Sequence, residues 1–351
     1  MKQHSGETLY KEKKSFKELL KDQRVLLIIA IIAIAIVVGC INSRFFLVDN
    51  VISIFQSACV SGVLTLAMAM LLLNGGLDLS IGNMTAMICI IMSVLLRGGT
   101  GTTAPTYEYS FDIDVDQINA TTGGLPLLPV ILIAFGIAIG CGFINGLIVS
   151  KSKCMPLIIT LGLSNVYYGI ALIISEGKYL SMDDAFEPFR MLKIGGVLPV
   201  MLLVFIALVI FSWWLIGRTK YGRRVIAVGG NEEMARLSGI AVDKNKITTY
   251  TISGAFVAVA AILYATKLNS VSASAGSDYA LTALSGAVIG GVTFDGGKGT
   301  IIGAFIGCML MSVIDNAMNI CGVDAYVKII INGAIVVGAV VMSNIENLRR
   351  K

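Results

Sequence analysis

Two aspartates beside paired glycines are the residues of this chain best placed to act on a solute. Asn74-Gly75-Gly76-Leu77-Asp78-Leu79-Ser80-Ile81-Gly82 lies in the N-terminal half, and Gly290-Gly291-Val292-Thr293-Phe294-Asp295-Gly296-Gly297-Lys298-Gly299 in the C-terminal half. Each adjoins a short apolar run, and short or glycine-broken segments in the two halves of a transporter point to its pathway. Asn74, Gly75, Gly76, Asp78, Ser80, Gly290 and Gly291 are therefore candidate pathway residues. The competing reading is tight turns and close packing, because small residues let helices approach in lipid. Asp315 and Asn316 join the candidates from within a later apolar run. A mid-membrane carboxylate costs about 2.5–3.5 kcal/mol on insertion scales, which a wet cavity largely removes. Asn145, Asn165 and Asn332 also fall in apolar runs, where hydrogen bonds between helices are the expected use. Asparagine, serine and tyrosine suit a neutral hydroxylated solute without trapping it.

Covalent and metal chemistry find no footing. Gly291–Thr300 looks like a phosphate-binding loop, but Lys298 is followed by Gly299 where that motif needs Ser or Thr for magnesium. No serine–histidine or cysteine–histidine pairing offers an activated nucleophile. The single histidine is His4, and the seven cysteines form no CxxC, so they read as apolar filler and no zinc site is expected. The chain is expected to be no enzyme, with no catalytic residue, cofactor or metal.

The segment Arg218–Lys246 is basic and stands between long apolar runs. Asn231 suits a helix N-cap, and Glu232 and Glu233 then meet the positive end of the helix dipole. Arg236 lies a turn on, and Gly239 suits a left-handed terminator. The pattern predicts a two-turn helix over Glu232–Ser238, preceded by a flexible pair, Gly229-Gly230. A helix that short is marginal alone in water, so it packs on this chain's own inner helix ends or docks into a cytosolic partner.

The elements that must position these residues are membrane helices. Charged residues make up 14% of the chain and mean hydropathy is +0.84, against about 25% charged in soluble domains. Ten apolar runs approach the ~20 residues of a bilayer crossing: Val25–Ile41, Val51–Leu73, Ile81–Leu96, Leu125–Val149, Met155–Ser175, Val197–Ile216, Ile247–Thr266, Tyr279–Val292, Ile301–Asn319 and Tyr326–Ser343. Backbone groups in lipid must be satisfied within the segment, so an all-α polytopic membrane protein follows. With the N-terminus inside, 20 of the 27 lysines and arginines fall on the cytoplasmic side, which supports ten spans with both termini cytoplasmic. The net charge of +5 is thus a topology signal rather than a nucleic-acid footprint.

The predicted organisation is a basic cytoplasmic segment, 1–24, and a transmembrane domain, 25–346. The domain carries a cytoplasmic loop at 217–246 and external loops at 97–124 and 176–196. Phe16, Leu19 and Leu20 among lysines suggest a surface helix before the first span. The first span reads as a signal anchor, although Val37-Val38-Gly39-Cys40 looks like a lipoprotein cleavage box. Glu108, Asp112, Asp114 and Asp116 make the first external loop acidic, either as a solvated loop or as a face for an external partner; Asn119-Ala120-Thr121 there matches a glycosylation acceptor triplet.

From about Val51 to its end the chain resembles the permease subunit of bacterial ATP-binding-cassette sugar importers, the ribose, xylose and galactose/methylgalactoside group. That group is related more distantly to branched-chain amino acid permeases. The resemblance is carried by Asn74–Gly82, by Gly222–Gly239 with Gly229-Gly230-Asn231-Glu232-Glu233, by Gly290–Gly299, and by Gly322-Val323 with Tyr326 and Gly333. It implies a multi-pass protein of the bacterial inner membrane working as two permease copies over two cytosolic ATPase subunits. An extracytoplasmic sugar-binding protein would deliver the solute. On this resemblance Gly230, Asn231, Glu232, Glu233, Ala235, Arg236 and Gly239 couple to the ATPase. The chain departs from the family pattern at Tyr279-Ala280-Leu281-Thr282, where Tyr-Glu-Leu-Asp is common, and at Asn332-Gly333, where Lys-Gly is common. The alternatives are an ion-coupled secondary transporter using Asp78, Asp295 or Asp315, or an importer permease of this kind for a nucleoside, an autoinducer or a branched-chain amino acid.

Overall fold

Amides in an apolar stretch must find carbonyls close along the chain, and each of the ten apolar runs holds a helix among the described residues. The computed structural model describes residues 23–97, 124–194 and 198–349. The expectations for Phe16, Leu19 and Leu20, for His4, for the acidic loop with Glu108, Asp112, Asp114 and Asp116, and for Asn119 lie outside these residues. The helices are α1 Gln23–Ile41, α2 Val48–Leu73, α3 Ile81–Arg97, α4 Leu127–Ser152, α5 Pro156–Ser175, the short α6 Glu187–Met191 and α7 Val200–Arg218. They continue as α8 Lys220–Gly230, α9 Glu232–Leu237, α10 Val242–Leu268, α11 Tyr279–Ile289, α12 Ile301–Ile320 and α13 Ala325–Arg349. Two tiny antiparallel ladders tie loops together: Leu180–Ser181 (β1) pairs with Ser270–Val271 (β4), and Lys193–Ile194 (β2) with Leu198–Pro199 (β3).

Among the described residues seven helices are long and apolar enough to cross a membrane: α1, α2, α4, α5, α7, α10 and α12. The 17-residue α3 and the apolar part of α13, Ala325–Gly338, are shorter. The 11 residues of α11 reach only ~16 Å at 1.5 Å per residue, about half of the ~30 Å hydrocarbon core. The run predicted to Val292 ends at Ile289 because Gly290 and Gly291 turn the chain there.

Burial is inverted relative to apolarity. Only 6% of the apolar window of α1 is buried, against 67% for α2 and 61% for α10 and α12, although α1 is the most apolar helix. Lipid solvates leucine and isoleucine as well as protein does, so contacts between helices are left to small and weakly polar residues. Helices α4 and α10 meet in this way: an added Cβ at Gly142 would lie 2.5 Å from the Tyr250 carbonyl oxygen, and one at Gly254 would lie 2.3 Å from that of Ala138.

The predicted loop 217–246 is almost wholly helical. Gly229 and Gly230 are not a flexible pair; they form the last residues of α8, and α10 begins at Val242, five residues ahead of the run predicted from Ile247. The reason is tertiary: Gly229 is buried against other backbone, which fixes a glycine that sequence alone leaves free.

Candidate functional site

The break between α2 and α3 is a buried connector, residues 74–80. Asn74, Asp78 and Ser80 are each 1% exposed or less. Buried polar groups need partners, and here they come from three other helices. Asp78 Oδ1 accepts from the Ser80 amide (2.8 Å) and hydroxyl (2.5 Å), and its Oδ2 accepts from Asn145 Nδ2 on α4 at 3.0 Å. Asn145 Oδ1 accepts in turn from Tyr167 on α5 at 2.6 Å. Tyr250 on α10 donates to the Leu77 carbonyl at 2.8 Å, and Asn74 donates to Thr249 at 2.9 Å. The Asp78 carboxylate therefore spends its acceptors on holding the connector, facing packed protein.

The connector adjoins a second contact made of backbone. A Cβ at Gly229, on α8, would lie 2.0 Å from the Leu73 carbonyl oxygen and 2.7 Å from the Gly297 amide nitrogen. That amide donates to the same Leu73 carbonyl at 3.1 Å. Gly296 and Gly297 hold φ of +81° and +67°, a region open to glycine at little cost, and they let the 293–299 turn lie on Gly229 and Gly230. Three glycine-bearing segments thus meet at one node. Gly75 faces Gly229 there, whereas Gly290 packs on α12 at Gly303 and Gly291 lies against Gln23 of α1.

Leading from this node is α9. Asn231 accepts from the Met234 amide at 2.9 Å as its N-cap, with Glu232 and Glu233 in the first turn. Gly239, at φ +80°, ends the helix, and its amide donates to the Arg236 carbonyl. Ala235 is buried with Val228 and Val242, while Met234 and Leu237 are 59% and 77% exposed. Arg236 and Lys246 both pair with Glu232, at 3.4 and 2.6 Å. One face of α9 rests on its own chain and the other offers two apolar side chains. Met234 and Leu237 went unnoticed in the sequence; their i, i+3 spacing around the small Ala235 was the available signal.

A cavity of about 400 Å³ opens between α2, α10, α11, α12 and α13, within the ~300–1,000 Å³ range of small-molecule sites. Its wall is polar: Ser57 and Ser61 from α2, Lys267 from α10, Thr282 from α11, Ser312, Asp315 and Asn319 from α12, and Lys328 and Asn332 from α13. Asp315 Oδ1 accepts from Asn332 at 3.2 Å, Lys267 donates to Ser57 Oγ at 3.1 Å, and Lys328 to Asn319 Oδ1 at 2.5 Å. Of the candidate pathway residues only Asp315 lines this cavity. Asn316 faces away and exchanges hydrogen bonds of 2.9 and 3.1 Å with Asn50. Asn165, expected to bond between helices, stands exposed on α5. Two positions that depart from the resembled pattern, Thr282 and Asn332, face the cavity together. Lys267 was legible only as a charge at a run end, whereas Lys328 stands one helical turn before Asn332, within reach of the place of the lysine in the resembled Lys-Gly pattern. Among the described residues no group of three or more potential metal ligands occurs.

The sequence profile of the branched-chain amino acid transport system / permease component family matches residues 50–340. The ribose import permease protein RbsC of Escherichia coli strain K12 is 30% identical over 332 residues, 93% of this chain and 95% of that protein. The galactose/methyl galactoside import permease protein MglC of the same strain is 30% identical over 97% of this chain and 98% of its own length. RbsC of Bacillus subtilis strain 168 is 28% identical over 88% and 89%. No solved structure matches the chain significantly.

Proposed function

The chain belongs to the branched-chain amino acid transport system / permease component family, and on that premise we propose that it is the membrane-spanning permease subunit of an ATP-binding-cassette importer for a monosaccharide. Its relatives named for ribose and galactose import cover almost its whole length, and the cavity walls offer hydroxyl, amide, ammonium and carboxylate groups, the partners a polyol requires. The subunit sits in the bacterial inner membrane with ten helices at membrane depth, both termini cytoplasmic, residues 25–346 forming the permease domain. Two copies stand over two cytosolic ATPases, and an extracytoplasmic binding protein loads the cavity.

The observation that carries this reading is the glycine node. Helix α9 offers Met234 and Leu237 outward, and α8, which leads into it, touches the end of α2 and the 293–299 turn. Helix α2 also supplies Ser57 and Ser61 to the cavity, and α12, which follows that turn, supplies Ser312 and Asp315. Packed interfaces shift between discrete arrangements rather than deform smoothly. Closure of an ATPase cleft around α9 is thereby passed to two cavity helices. Gly230, Asn231, Glu232, Glu233, Ala235, Arg236 and Gly239 form the coupling element. Asn74, Gly75, Gly76, Asp78, Ser80, Gly290 and Gly291 hold the inner ends of the helices that move, and Asp315 meets the solute.

The test is purification of the tagged chain with its ATPase, reconstitution in liposomes, and measurement of sugar uptake from the loaded binding protein. ATP-dependent uptake is expected. Uptake by the chain alone, driven by an imposed ion gradient without ATP, would establish an ion-coupled transporter instead.

A further inference from the structure

A second cavity, about 730 Å³, lies on the seam between α4 and α10 beside α9. Its composition is divided along the seam. Lys151, Arg236 and Lys244 stand at one end with Asp243, and Phe143, Ile247 and Ile252 extend away from them. Asp243 is shared between Lys151 at 3.4 Å and Arg236 at 3.6 Å, and Glu232, outside the groove lining, also pairs with Arg236 at 3.4 Å, so the lining itself sets three cations against one carboxylate. Lys244 Nζ has no ion-pair partner among the described residues. The hydroxyls of Thr248 and Thr251 turn back to the Lys244 and Ile247 carbonyls, which leaves the deeper wall apolar.

We propose that this groove binds an anionic phospholipid of the cytoplasmic leaflet, its phosphate at Lys151 and Lys244 and an acyl chain along Phe143 and Ile252. The inference rests on the membrane placement proposed above. Phe143 and Lys151 are eight residues apart on α4, a rise of ~12 Å, so the apolar end lies in hydrocarbon when the basic end lies among headgroups. A soluble partner's acidic loop would satisfy the cations but would not follow the groove to that depth. A free phosphate would leave the apolar wall unused. An anionic lipid meets both ends, and through Arg236 and Asp243 its headgroup would bear on the α9 foot.

The experiment is native mass spectrometry of the permease–ATPase assembly released from nanodiscs of phosphatidylcholine with or without phosphatidylglycerol. The wild type should retain phosphatidylglycerol in preference to phosphatidylcholine. Lys151→Gln and Lys244→Gln should each weaken that retention about 5-fold, and together about 25-fold, as expected for one basic side chain apiece at a membrane surface. Lys178→Gln, whose lysine lies just beyond the C-terminal end of α5 and pairs with Glu176 two residues before it, should leave it unchanged. Equal retention by wild type and double variant overturns the proposal. So does displacement of the lipid by inorganic phosphate, which would mark a free-anion site, or loss of the ATPase from the double variant with lipid retention intact, which would mark a protein contact. Preferential retention in an assembly that imports no sugar would refute the transport reading and leave the lipid site standing.

Discussion

Replacing Gly229 by alanine tests the node most directly. The new Cβ would sit 2.0 Å from the Leu73 carbonyl oxygen, about 1.3 Å short of the ~3.3 Å at which carbon and carbonyl oxygen normally meet. It would also crowd the Gly297 amide at 2.7 Å. None of these atoms is the free end of a flexible side chain, so α8 must back away from α2 and the 293–299 turn by roughly an ångström. Overpacking of this kind costs about 1–3 kcal/mol. Gly162, on α5, is the internal control: its Cβ would meet nothing within 4 Å, and alanine gains up to about 1 kcal/mol of helix propensity over glycine. In co-reconstituted liposomes, with ATP hydrolysis and sugar uptake measured together, Gly229→Ala should hydrolyse ATP with little uptake, and Gly162→Ala should keep wild-type coupling. Thermal scanning of the assembly should show Gly229→Ala melting lower. Equal uptake per ATP and equal melting for the two variants would refute transmission through the node.

Asp78→Ala would strand three donors, the amide and hydroxyl of Ser80 and the amide of Asn145, at a cost of about 3 kcal/mol or more; thermal scanning should show a large loss, and wild-type stability would mean that the carboxylate does not hold the connector. Asn231→Ala removes the N-cap of α9, worth about 1 kcal/mol, and Gly239→Ala adds about 1–2 kcal/mol for a left-handed L-residue. Combined, they should lower uptake per ATP, since a six-residue helix has no reserve; unchanged coupling would remove α9 from the power path. Thr282→Trp, which fills the polar cavity, should abolish uptake while the ATPase still co-purifies with the chain, and normal uptake would show that solute passes elsewhere.

The sequence by itself determined the helical membrane class, because residues that cannot face water must satisfy their own backbone in lipid. It also determined the α9 foot: Asn231, Glu232, Glu233 and Gly239 act within a single turn or two, so their spacing is their geometry. Local rules likewise marked residues 74–82 and 290–299 as breaks. Tertiary structure alone decided what those breaks touch. Gly229 reads as flexible in isolation and becomes the tightest backbone contact of the node only because Leu73 and Gly297, more than 60 residues away on either side, arrive there. The cavity was hidden for the same reason. Ser57, Lys267, Thr282, Asp315 and Asn332 come from five helices, each contributing one to three polar groups to an apolar run, and no periodicity within one helix records which face another helix will leave uncovered.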